Sequence, residues 1–174
     1  MKQLEGVWME VVARTQVRIS CPGGPAAFGP GQIFNSAAIN TRKSVSLVGP
    51  MAGVVEAIDL KKAVRQAKVL SIVRPGELGD VLVALTACRM IKRAMPDLQV
   101  QLMTHTRFHP AIQGQHEVSI HPHSIGKRST SERLVVDFTG YFEVDHEPGA
   151  AHVPRLCRVL WPLGFGVPGW PAPE

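Results

Sequence analysis

The hydrophobic pattern changes character near residue 60. Before it, apolar positions come in short alternating runs interrupted by Gly, Pro and Ser. Val17, Ile19 and Cys21 alternate with Arg18 and Ser20, which predicts a strand. Gln32 to Asn35, Ser44 to Val48 and Gly53 to Ile58 predict further strands. Between the first two, Cys21 to Gly31 holds so many Gly and Pro that no regular element is expected there. Residues 1–60 therefore read as a small β-rich module.

Beyond residue 60 the period lengthens. Lys61, Lys62, Arg65 and Lys68 mark a basic, solvated helix face. Val69 to Val73 is a near-continuous apolar run of strand length, the pattern of a parallel strand covered on both faces. Val81, Ala84, Leu85, Cys88 and Ile91 then recur at helical spacing, which predicts a helix over Val81 to Met95. Arg89, Lys92 and Arg93 suit the negative end of its dipole, and Pro96 stops it. Leu98, Val100 and Leu102 alternate as a second strand, closing a βαβ unit. A short helix over Phe108 to Gly114 and strands over Val118 to His121 and Arg133 to Phe138 follow. The last element is a helix over His152 to Leu163 with Pro154 near its start. Gly164 to Glu174, rich in Pro and Gly, reads as a linker or extended end. The expected fold is α/β, a Rossmann-like parallel sheet over residues 61–174 carrying the β-rich module.

Composition narrows the class. Of 174 residues 45% are hydrophobic and 19% charged, which excludes a disordered chain. Three separated cysteines, Cys21, Cys88 and Cys157, form neither a disulfide framework nor a zinc cluster, so a reducing, cytoplasmic setting is expected. No apolar run is long enough to span a membrane, and Met1 to Arg14 lacks a secretory pattern. The net charge of +5 favours anionic ligands without choosing among them. Few aromatic residues argue against a single-stranded nucleic-acid platform.

The chemistry concentrates in Arg74-Pro-Gly-Glu-Leu-Gly-Asp80, between the first long strand and its helix. The C-terminal edge of a parallel sheet is where such folds bind ligands. Gly76 and Gly79 let the backbone turn and approach a ligand. Asp80 falls at or near the helix N-cap, where it either caps the helix or presents a carboxylate to a bound molecule. The spacing matches neither a dinucleotide fingerprint nor a phosphate loop of the Gly-Lys-Ser/Thr type.

The segment VLSIVRPGELGDVLVALTACRMIKRAMP, residues 69–96, resembles the opening strand, loop and helix of the heptosyltransferases of glycosyltransferase family 9. Arg74, Gly79, Asp80, Arg93 and Pro96 stand at matching places. The segments DLQVQLMTHTRFHPAIQGQHEVSI, RLVVDFTG and AHVPRLCRVLWPLGFGVPGWPAPE follow in the same order as that family's later elements, more loosely. The resemblance implies one half of a GT-B fold and an inverting, metal-free transfer with Asp80 as general base. Arg74, Gly76 and Gly79 would bind the saccharide or nucleotide-sugar ligand. It implies no resident cofactor. A donor such as ADP-heptose would need a donor-binding half, which is expected from a partner. Pro75 and Glu77 depart from the small residues usual in that loop.

Other features are weaker. His105 and His109 have the spacing of a helical chelate, but Pro110 disfavours that geometry, and no metal centre is expected. Lys127 and Arg128, amid Ser124, Ser129, Thr130 and Ser131, read as a solvated loop or a contact for an acidic or phosphorylated sugar. Trp161 and Trp170 read as hydrophobic anchors, and Asp137 as lining the cleft or making a structural hydrogen bond. The N-terminal module faintly resembles short β-rich segments of tailed-phage proteins. That resemblance implies the competing reading, a non-enzymatic structural or adaptor protein of a virion with assembly partners.

Overall fold

The computed structural model describes residues 6–21, 24–36, 53–114, 117–123, 129–130, 132–139, 141 and 152–173. Among these residues nine strands and four α-helices run in the order β1 (Trp8–Val11), β2 (Val17–Cys21), β3 (Gly24–Phe28), β4 (Ile33–Asn35), β5 (Val55–Ala57), α1 (Leu60–Gln66), β6 (Val69–Val73), α2 (Leu78–Ala94), β7 (Gln99–Thr104), α3 (His109–Ile112), β8 (Ser119–Pro122), β9 (Arg133–Asp137) and α4 (His152–Leu160). The fold is mixed α/β around a mostly parallel seven-stranded sheet of order β5-β1-β4-β9-β6-β7-β8.

β6 pairs in parallel with β7 on one side and with β9 on the other, and β7 pairs in parallel with β8. The chain thus runs outward from β6 through β7 to β8 and then returns to the far side of β6 as β9. That reversal makes the β6–β9 boundary a topological switch point. β4 adds parallel to β9 through Ile33 and Val136, and β1 joins antiparallel to both β4 and β5. The sheet therefore crosses the compositional change near residue 60 without a break. Among the described strands, β2 and β3 stand apart as a two-stranded ribbon.

Alternation along the strands sorts the core. Leu70 and Ile72, Val100 and Leu102, and Leu134 and Val136 face α1, α2 and α4, where they meet Leu60, Val64, Val81, Leu85, Cys88, Ile91 and Leu160 in one buried cluster. The opposite face buries Val73, Met103 and Val135. Beside it on the flank, Val11, Phe28, Phe34 and Val55 form a second group, with Phe28 and Phe34 stacked at 4.6 Å. The polar face of α1 is exposed, with Asp59 Oδ1 accepting from the Lys62 amide at 3.1 Å as its N-cap.

Several expectations are corrected. α2 begins at Leu78, with Glu77 as N-cap, rather than at Val81. Gly79 and Asp80 thus lie in its first turn, where a carboxylate suits the positive end of the dipole. Gly24–Phe28 is a strand despite its Gly and Pro, since a two-stranded ribbon leaves outward backbone positions that need no donor. β1, unexpected from the sequence, is held between β4 and β5 by long-range pairing. The C-terminal tail is not a free extension. Phe165 and Val167 pack on the core, Val167 and Trp170 bridge, and Lys61 Nζ donates to the Pro173 carbonyl at 3.2 Å. Trp161 Nε1 donates to the Trp170 carbonyl at 3.3 Å, while the Trp170 ring is exposed. The expected strand at Ser44 to Val48 lies outside the described residues.

Candidate functional site

The switch point gathers charge. Arg74 follows β6 directly and continues its ladder, its amide donating to the Met103 carbonyl at 3.0 Å. Leu70, Ile72 and Arg74 share one strand face by alternation, so the side chain runs beneath the start of α2. Arg74 is only 2% exposed. Its Nη2 lies 3.0 Å from Asp80 Oδ2, and its Nη1 donates to the Phe138 carbonyl at 3.3 Å. One guanidinium therefore ties together the loop after β6, the first turn of α2 and the end of β9. A planar fork with several donors suits this bridging, and an ammonium would not replace it.

Asp80 is the third residue of α2. Its side chain is 24% exposed, and Oδ1 lies 3.9 Å from Arg155 Nη1 on α4. One carboxylate oxygen is thus fixed from below by a buried cation. The other faces the surface beside a half-exposed one.

Gly76 explains how the loop reaches this pair. A Cβ there would come within 2.9 Å of Asp80 Oδ2 and 3.0 Å of Arg74 Cζ. The bare backbone at Gly76 therefore packs against the ion pair itself. Gly79 is different: a Cβ there meets nothing within 4 Å. Lys127 and Arg128 lie outside the described residues. Of the expected site residues, the structure brings Arg74, Gly76 and Asp80 into contact and leaves Gly79 on the open surface beside them.

Asp137, the last residue of β9, is buried on the face opposite Arg74. Its Oδ1 accepts from the Thr139 amide at 2.8 Å and its Oδ2 from Gln32 Nε2 at 3.4 Å. Burial pushes its carboxyl up to about 6, opposed by the Thr139 hydrogen bonds and by the Arg74 charge.

The neighbouring strand ends carry histidines. His105 follows β7 and His123 follows β8, with ring centres 5.8 Å apart. The spacing of His105 and His109 does not place them on one helix face. His105 is extended (φ −61°, ψ 137°) ahead of the turn, and His109 Nε2 instead lies 3.4 Å from the Thr104 carbonyl. Sequence reasoning also missed Arg155 and Gln32. They reach the site from α4 and from the segment before β4, and no local pattern marks either.

Clefts lie elsewhere among the described residues. One of about 420 Å³ opens beneath α1 near the start of β9, lined by Glu10, Gln66, Ser129 and Thr130. Burial and the facing Glu56 raise the Glu10 carboxyl. A second, of about 250 Å³, is bordered by Trp8, Asp59, Lys61 and Tyr141. Neither is lined by Arg74 or Asp80. Among the described residues no helix is long and apolar enough to cross a membrane. Comparison with known protein families, curated proteins and solved structures found no significant match.

Proposed function

We propose that this chain is a ligand-binding α/β domain of the glycosyltransferase type, the acceptor-side half of a GT-B architecture. It holds a saccharide or nucleotide-sugar-like ligand over the C-terminal edge of the sheet. The observation that carries the reading is the buried Arg74, which presents Asp80 at the mouth of the switch point. Support comes from the strand order, in which chain reversal opens a crevice at this edge, and from the sequence resemblance over residues 69–96.

In this reading the Arg74 pair fixes the Asp80 carboxylate so that Oδ1 meets a sugar hydroxyl. A base must come within hydrogen-bond reach of the proton it takes. Arg155, 3.9 Å from that oxygen, would contact the ligand and set its approach. Transfer of a glycosyl group also requires a donor site, which the reading assigns to a partner domain.

Isothermal titration of the purified chain with ADP-sugars and with lipopolysaccharide core saccharide tests this. Binding by the wild type that weakens in Asp80→Asn and Arg155→Ala supports the proposal. Absence of binding to every saccharide and nucleotide sugar overturns it. Copurification in an assembly of fixed stoichiometry, together with that absence, would replace it with the structural-protein reading.

A further inference from the structure

We propose that His105 and His123 form a two-imidazole site for a borderline divalent metal ion such as Zn²⁺ or Ni²⁺. The site lies at the C-terminal ends of β7 and β8 and is independent of the saccharide reading.

The geometry is the first argument. An ion sits about 2 Å from an imidazole nitrogen, so two imidazoles on one tetrahedral ion have ring centres about 5–6 Å apart. The two rings stand 5.8 Å apart, at an interplanar angle of 70°. The backbone brings the two residues side by side. The His123 amide donates to the Thr104 carbonyl at 2.7 Å, which docks the end of β8 against the residue preceding His105.

Availability is the second argument. No hydrogen bond links either imidazole to another of the described residues, whereas His109 is turned onto the Thr104 carbonyl. His105 is exposed and His123 half-buried, so the pair opens to solvent on one side. Burial lowers both groups below the usual imidazole range. At His105 the neighbouring His123 and Arg107 add to this, and Glu77 opposes it. Neutral imidazole is the form that ligates.

The surrounding charges are compatible. Arg107 is the nearby cation, and its guanidinium is held 4.5 Å over the Phe108 ring. Glu77 supplies a negative charge that offsets it. No group of three or more His, Cys, Asp or Glu converges among the described residues, so the proposed site has two protein ligands among them. Imidazole donors select Zn²⁺, Ni²⁺ or Cu²⁺ over Mg²⁺ and Ca²⁺, which prefer oxygen.

The test is titration of the untagged, metal-free full chain with ZnCl₂ and NiCl₂ by calorimetry, on wild type, His105→Ala and His123→Ala. One equivalent is expected to bind, with affinity falling about tenfold or more in each variant. Affinity should also fall with pH, as protons compete for both rings. Long-range ¹H–¹⁵N spectra of the wild type, which need no variant to fold, should show both imidazoles shifting together on metal addition. MgCl₂ should shift neither. The proposal is overturned if the wild type binds no Zn²⁺ or Ni²⁺, if binding survives both substitutions, or if other imidazoles shift instead.

Discussion

β6 and β9 are neighbouring strands of one sheet, and the first turn of α2 after β6 and the last residue of β9 each bring a carboxylate to the switch point. The surroundings of the two are opposite. Asp80 is partly exposed and sits between two guanidinium groups, Arg74 at 3.0 Å and Arg155 at 3.9 Å. Asp137 is buried and hydrogen-bonded to a backbone amide and a carboxamide, with its carboxyl raised to about 6. Arg74 influences both, by direct contact with Asp80 and at longer range with Asp137. The contrast shows how one buried cation builds an outward-facing charged group while the far side of the sheet is closed by neutral donors. The first arrangement suits ligand chemistry and the second suits structure.

Removing Arg74 should disturb the comparison most. Arg74→Ala strands the Phe138 carbonyl and leaves Asp80 without its buried partner, so a loss of about 3–5 kcal/mol is expected in urea unfolding. A loss below about 1 kcal/mol would mean that the bridge is not a structural element.

Asp137 should show itself in the pH dependence. Its carboxyl is raised in the folded state, so between about pH 4 and pH 6 the native form binds more protons than the unfolded form. Its contribution is fully present below the unfolded value and is lost as pH rises through about 6. The amount lost is up to about 3 kcal/mol. Asp137→Asn should flatten that part of a stability-against-pH curve. An unchanged slope in Asp137→Asn would remove the distinction between the two carboxylates.

The two glycines separate packing from exposure. Gly76→Ala drives a Cβ against the buried ion pair and should lower stability by about 1–3 kcal/mol. Gly79→Ala lies in the first turn of α2 with open space around it and should be neutral or stabilising by up to about 1 kcal/mol. Thermal unfolding of the pair checks this, and equal effects would contradict the packing at Gly76.

Arg155→Ala should have the smallest effect on folding, below about 1 kcal/mol, because the group is partly exposed and at the outer limit of ion-pair distance. Its effect should appear instead as weaker ligand binding at the switch point. A variant that unfolds easily would place Arg155 in the core of the bridge and not at its mouth.

Much of the parallel layer is legible along the chain. The run Val69 to Val73, the helical spacing from Val81 to Ile91 and the alternation at Val100 and Leu102 each follow from neighbours a few residues away, and each element forms where that pattern lies. The loop was legible too, since Arg74, Gly76 and Asp80 lie within one short segment. The start of α2 was not, because Gly79 reads as a breaker while the first turn tolerates it. β1 and the folded tail were equally hidden, for their stability comes from partners distant in sequence, while β3 was masked by its own Gly and Pro although its partner β2 directly precedes it.

The sequence by itself determined which segments bury a face and which loop carries the charge, because hydrophobic periodicity and local residue chemistry act over a turn or a strand. Only the tertiary structure decided that Gly76 packs on an ion pair, that Arg155 and Asp137 come to the same edge, and that His105 faces His123 rather than His109. Those outcomes depend on strand order, and strand order is set by closing contacts across many tens of residues, which no local pattern encodes.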